Sequence, residues 1–191
     1  MEGKPARSLE LDDDEQKIVL SFLLLTFKPM IYVANVSEKQ LHITSIEHAR
    51  EAIGLSEREM VVVISAKIEE DLQDLSPDEA RTYLKELCVE SSGLDQLIQT
   101  AYTTLGYITF FTAGPKEVRA WTITNGSTAP EAAGVIHTDF QKGFIRAETI
   151  SFEDFVAYQG EQGAREHGRF RIEGKEYCVQ NGDVMHFRFN V

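Results

Sequence analysis

At 191 residues, with 42% hydrophobic and 26% charged residues, the chain has globular composition and room for one large domain or two small ones. A net charge of −12 excludes a chain built overall to hold a nucleic-acid backbone, and DNA is not an expected partner. The longest apolar run, residues 18–25, is broken by Ser21 and too short to span a bilayer. With no leader pattern at the N-terminus, a cytoplasmic protein without a membrane partner is expected. Cys88 and Cys178 lie far apart, without metal-ligand neighbours, and suit a reducing compartment.

In chain order, Asp12-Asp13-Asp14-Glu15 places acids at a helix N-terminus, and that helix is expected to reach about Thr26, before Pro29. Residues 29–34 and 60–64 are nearly continuous apolar runs, each fitting a strand covered on both faces of a parallel sheet. A helix-length segment over 45–53, closed by Gly54, separates them, so strand, helix and strand form a right-handed βαβ unit. Ser76-Pro77-Asp78-Glu79 is a capping box opening a helix to about Leu87. From Gly93, Leu94, Leu97, Ile98, Ala101, Tyr102 and Leu105 form one helical stripe expected to face the core, with Gly106 as C-cap.

After Tyr107 the texture changes. Residues 108–112 and 117–124 flank Ala113-Gly114-Pro115-Lys116 as a hairpin, and Thr128-Ala129-Pro130-Glu131 opens a helix through about Phe140. Strands over 144–150, 169–172, 177–180 and 184–189, with a short helix at 151–158, complete a small α+β roll of the β-grasp kind. Charge shifts at the same place: residues 1–107 hold 10 Lys/Arg against 20 Asp/Glu, whereas 108–191 hold 9 against 11.

Ligands on parallel sheets bind beyond the carboxyl ends of the strands. There the first strand delivers Asn35-Val36-Ser37-Glu38 and the second Ser65-Ala66-Lys67. An N-K-x-D motif at such a strand end recognises guanine, its carboxylate accepting two ring N–H groups. Here the Lys is absent and Glu38 replaces Asp. Asn35, carrying donors and an acceptor, matches the N6/N7 edge of adenine. Val36 would offer backbone and an apolar contact, while Ser65-Ala66-Lys67 would add backbone N–H groups and a lysine stem over the base. Taken alone, N-x-x-E reads as a polar turn after a strand; S-A-K on the next parallel strand turns the reading towards base recognition.

The phosphate machinery has no counterpart. No G-x-x-x-x-G-K-[ST] occurs, nor any D-x-x-G, so phosphoryl transfer, catalytic residues and metal ligands are not expected of this stretch. His137 is read as structural or surface-binding, because Asp139 two positions on would point elsewhere on a helix.

The segments K-P-M-I-Y-V-A-N-V-S-E, S-A-K, F-F-T-A-G-P-K-E-V-R-A-W-T-I, A-A-G-V-I-H-T-D-F, G-F-I-R-A-E and N-G-D-V-M-H-F-R-F-N-V resemble the YchF/Obg-like ATPase family over essentially the whole chain. The resemblance implies the end of a helical insertion at 1–27, the C-terminal part of a Ras-like nucleotide-binding α/β domain at 28–106, and a TGS domain at 107–191. It implies ATP as the nucleotide, with GTP second, and magnesium only in the full-length parent. Partners would be the missing N-terminal nucleotide-binding half and the ribosome or its RNA. Whether the chain counts as an enzyme is open, since the parent family hydrolyses ATP and this stretch lacks the P-loop. The alternative is a ribosome-, RNA- or protein-docking TGS module with a vestigial pocket. Lys116, Arg119, Arg169 and Arg171 are the candidate RNA contacts, Arg169 and Arg171 sharing one face as alternate residues of the strand over 169–172.

Overall fold

A computed structural model describes residues 4–41, 43–57, 59–114 and 117–190. They form a mixed α/β structure of two compact units, dividing between Thr104 and Leu105, each with its own sheet.

In the first unit, helix α1 (Asp13–Ser21) opens on a capping box in which Asp12 accepts from the Asp14 and Glu15 N–H groups and Glu15 accepts from Asp12. It stops at Ser21, short of the expected Thr26. The Ser21 hydroxyl donates back to the Ile18 carbonyl at 2.6 Å, and Leu23 takes a positive φ of 51°, which ends helical propagation. Strands β1 (Ile31–Asn35) and β2 (Met60–Ile64) pair in parallel, with Ile31 opposite Met60 and Asn35 opposite Ile64. Their crossover carries α2 (Glu38–Leu41), which the sequence reading omitted, and α3 (Ile46–Ala52), capped by the Ser45 hydroxyl. One face packs Tyr32, Ala34, Val61 and Val63 around Ala49 of α3.

Coverage on both faces holds for β2, where residues 61–63 are all buried, but not for β1, where Val33 is 44% exposed. Alternate side chains point to opposite faces, and Val33 lies on the face away from Tyr32 and Ala34. Helix α4 (Ala66–Gln73) follows β2 directly, and α5 (Pro77–Glu86) begins with the expected Ser76/Glu79 box. Helix α6 (Gly93–Thr104) is fastened at its start: Glu69 of α4 accepts from the Gly93 and Leu94 N–H groups at 2.7 and 3.3 Å. Its stripe is covered only in part, with Leu97 and Ala101 half-buried. Leu94, Ile98, Tyr102 and the following Leu105 are exposed, because a two-stranded sheet is too narrow to cover so wide an apolar face.

The second unit contains β3 (Tyr107–Ala113), β4 (Val118–Thr124), α7 (Ala129–Ile136), α8 (Thr138–Lys142) and β5 (Phe144–Ser151). It continues with α9 (Phe152–Ala157), α10 (Glu161–Glu166), β6 (Arg171–Glu173) and β7 (Asp183–Phe189). The strand order is β4-β3-β7-β5-β6, with β3 and β7 parallel and the other neighbours antiparallel. Small residues bring α7 against the sheet: Ala129, Ala132 and Ala133 are fully buried with Phe110, Ala147, Met185 and Phe187. The helix expected through Phe140 breaks at His137, which is extended with φ −160°. In place of a strand at 177–180 there is a single bridge between Thr128 and Cys178. Of the hairpin turn, Pro115 and Lys116 lie outside the described residues. Among the described residues, no helix is long and apolar enough to cross a membrane.

Candidate functional site

The parallel register brings Asn35 and Ile64 to the same level, so the chain leaves both strands at one rim. The Val36 N–H donates to the Ile64 carbonyl at 2.8 Å, extending the pairing one residue past β1. Asn35 Oδ1 then accepts from the Ala66 N–H at 3.0 Å, tying the two loops side chain to backbone. Around this tie runs a shallow, open groove of about 500 Å³ lined by Asn35, Val36, Ser37, Glu38, Lys39, Ser65, Ala66 and Lys67. All six residues singled out for base contact therefore line one concavity. The Ala66 N–H, one of the backbone donors expected over 65–67, is taken by Asn35, and the Val36 N–H by Ile64.

What remains to face a ligand follows from that accounting. With its carbonyl engaged, Asn35 has its amide N–H₂ left to donate outward. The Ser65 hydroxyl is buried, only 1% of the residue being exposed, and has no hydrogen-bond partner among the described residues. A buried hydroxyl left unpaired is costly, and this one has almost no surface open to the groove. Glu38 begins α2 beside it, its approach fixed by Ser37, whose hydroxyl donates to Gln40 at 2.7 Å. The Lys67 ammonium lies 2.8 Å from Asp71 and 3.2 Å from Glu70, and hydrogen bonds to Asp71 first and Glu70 second hold its proton more firmly than usual. This set of donors, acceptors and an alkyl stem suits a flat heterocycle. It offers no nucleophile and base in contact, and no group of three His, Cys, Asp or Glu placed for a metal exists among the described residues.

Residues 107–190 match the family YchF-GTPase_C, described as "Protein of unknown function (DUF933)". The chain is 52% identical over 192 residues to the Ribosome-binding ATPase YchF of Bacillus subtilis (strain 168), covering 98% of this chain and 52% of that protein. The chain is a YchF homologue. The Haemophilus influenzae protein of the same name is 50% identical over 186 residues, covering 97% of this chain and 51% of that one. Among solved structures, the Schizosaccharomyces pombe YchF GTPase superposes with a TM-score of 0.82 at 36% identity, covering 97% of this chain and 50% of that one. A GTP binding protein from Pyrococcus horikoshii OT3 superposes with a TM-score of 0.59 at 18% identity, covering 94% and 51%, and shares the fold. The chain spans about half the length of the YchF proteins it matches.

Within the part matching YchF-GTPase_C, three of the four candidate RNA contacts, the arginines, have partners of their own. Arg119 stacks 4.3 Å over Trp121 and lies 4.0 Å from Glu117. Arg169 precedes β6 rather than lying in it, 3.7 Å from Asp154, so the face it was expected to share with Arg171 does not follow from strand alternation. Arg171 donates to Asp183 at 3.2 Å and lies 3.6 Å from Glu173. The buried Asp183 also accepts from the Tyr177 hydroxyl at 2.7 Å and the Gln180 N–H at 3.0 Å. Burial, then Asp183, push the Tyr177 phenol up to about 12. Lys116 lies outside the described residues. His137 corrects the helical reading: off the helix, its Nδ1 accepts from the Asp139 N–H at 3.2 Å, so Asp139 is beside it after all. Sequence reasoning missed the two carboxylates on Lys67, although their spacing three and four positions along a helix was there to be seen.

Proposed function

We propose that this chain is the C-terminal part of a cytoplasmic, ribosome-associated nucleotide-binding ATPase of the YchF type. Residues 28–106 are the base-recognising end of a Ras-like domain, 1–27 the end of a helical insertion, and 107–191 a TGS domain of the β-grasp kind. The observation that carries the reading is the groove at the β1/β2 rim. The six candidate base contacts line it, and the Asn35 carbonyl is engaged so that its N–H₂ is left to donate there. ATP fits the groove through its purine ring, with the Asn35 amide as hydrogen-bonding group and the Lys67 stem as a wall; GTP is the second candidate. Phosphates and magnesium find no G-x-x-x-x-G-K-[ST] in this sequence, and the N-terminal half of the parent supplies that part. Alone, the chain binds a base weakly and does not turn ATP over.

A titration with adenosine and guanosine, followed by amide NMR of the whole chain, tests this. Adenosine should shift Asn35, Ala66 and Lys67 with Kd of roughly millimolar strength, since a few hydrogen bonds and a stack supply only about 4 kcal/mol. Shifts confined to other residues would refute the base site. A second reading, a TGS docking module with a vestigial pocket, draws on the separate core of residues 105–191. It gains if ribosome co-sedimentation of the chain is strong while adenosine produces no shift at the rim.

A further inference from the structure

Lys67 stands in the first turn of α4 and is one of the residues lining the groove. A free lysine carries about 2 kcal/mol of rotamer entropy, which a ligand that uses it as a wall must suppress. Here the ammonium is held before any ligand arrives, at 2.8 Å from Asp71 Oδ1 and 3.2 Å from Glu70 Oε2. The two carboxylates differ in exposure: Asp71 is 37% exposed and Glu70 73%. Asp71 is therefore the closer and less exposed of the two carboxylates that hold Lys67. The Tyr83 hydroxyl is harder to deprotonate than an ordinary phenol, through burial first and then through the charges of Asp71 and Glu38.

We propose that Asp71 is a positioning residue for base recognition: by holding the Lys67 ammonium at 2.8 Å it fixes the lysine stem as a preformed wall of the groove. This rests on the base-site reading above. Exposed ion pairs add little to stability, so the effect belongs to binding and not to folding. Preorganisation lowers the ordering cost at the moment a ligand enters, which is where removing Asp71 should register.

The test uses the whole chain, adenosine as the phosphate-free probe, and lysine side chains labelled with 13C and 15N. Lys67 signals are assigned by their loss in Lys67→Arg. In the wild type the Lys67 ε-methylene should be more ordered than those of the other lysines. Asp71→Asn should abolish that order, weaken adenosine about three- to tenfold and leave the thermal midpoint unchanged. Lys67→Ala should weaken adenosine to a similar degree, and the double variant should be no weaker than Lys67→Ala alone. Wild-type affinity in Asp71→Asn, or effects of the two substitutions that multiply, would overturn the proposal. So would a fall in thermal midpoint accompanying the loss of binding, which would make Asp71 a structural residue. A wild type that shows ordered Lys67 but no adenosine shift at any rim residue overturns the base-site reading itself, and the positioning role with it.

Discussion

Asn35 and Ala66, 31 positions apart in sequence, are joined by one hydrogen bond of 3.0 Å between the Asn35 carbonyl and the Ala66 N–H. The bond links the end of β1 to the start of α4 and decides which half of the Asn35 amide faces outward. Asn35→Ala removes both the tie and the outward donor. Asn35→Asp keeps an acceptor for Ala66 but loses the donor. Hydrogen exchange at the Ala66 amide should therefore accelerate in Asn35→Ala and stay near wild type in Asn35→Asp, while both lose adenosine binding. Removing the tie should cost about 0.5–1.5 kcal/mol, the ordinary net value of one hydrogen bond. Equal protection of Ala66 in all three proteins would remove the tie from the account.

Gly93 is fixed by its neighbours rather than by its φ. A Cβ there would lie 2.6 Å from Ile64 Cγ2 and 2.8 Å from Ile64 Cβ, on the last residue of β2. Gly93→Ala should push α6 away from β2 and weaken the Glu69 cap on the α6 N-terminus, costing about 1–3 kcal/mol as an overpacked site. The measurement is protection of the Gly93 and Leu94 amides, which should fall together. Undiminished protection with an unchanged urea midpoint would show that the contact yields freely.

Much of this was legible because the signals are local. The capping boxes at Asp12, Ser76 and Thr128 depend on residues three apart, and each opens a helix where it stands. The groove was legible because parallel pairing forces two strand ends to one rim, so N-x-x-E and S-A-K must meet if their strands do. What escaped depends on contacts that sequence does not encode locally. The break at His137 occurs inside a run with good helical pattern, where Gly134 sits against Gln141 of α8. The α6 stripe reads as core because periodicity reports amphipathicity, not whether a covering surface is present. Arg169 and Arg171 looked like free charge because a count of cations cannot show that Asp154 and Asp183 face them.

Glu148 is nearly buried and grips Arg188 bidentately, at 3.1 Å to Nε and 2.9 Å to Nη2. The Arg188 hydrogen bonds hold its carboxyl below the usual range, although burial opposes them. A carboxyl depressed in the folded state contributes stability above its unfolded value, and that contribution disappears as pH falls through the folded value. Unfolding of residues 105–191 should therefore become easier below about pH 4. Glu148→Gln should cost roughly 1.5–3 kcal/mol at neutral pH and flatten the acid limb. An acid limb unchanged in Glu148→Gln would assign it to other carboxylates.

Tyr177 carries the opposite sign. Its phenol is raised to about 12, so its contribution is complete below the unfolded value near 10 and is lost as pH rises through the folded one. Residues 105–191 should lose stability between about pH 10 and 12, and Tyr177→Phe should remove that part of the alkaline limb. The substitution also withdraws a hydrogen bond from the buried Asp183, so a cost of about 1–2 kcal/mol is expected at neutral pH. An ultraviolet titration showing all tyrosines ionising together near pH 10 would contradict the raised phenol.

The proposed ribosome contact through residues 105–191 must be tested on arginines whose loss leaves the fold intact. Arg171 fails that condition, because reversing it to Glu would set another carboxylate against the buried Asp183 and against Glu173. Weaker binding in that variant would have two causes. Arg169 is the cleaner probe: it precedes β6, is more than half exposed at its side chain, and faces Asp154 at 3.7 Å. Arg119 is a second, held over Trp121 at the sheet edge. If these guanidinium groups leave their weak partners for phosphates, Arg169→Ala and Arg119→Ala should each weaken ribosome co-sedimentation at low salt without moving the thermal midpoint. Removing one phosphate-binding guanidinium should also reduce the slope of log affinity against log salt by about 1. Binding that persists in both variants, or that ignores ionic strength, would exclude a phosphate-reading strip and leave this surface as one that docks protein.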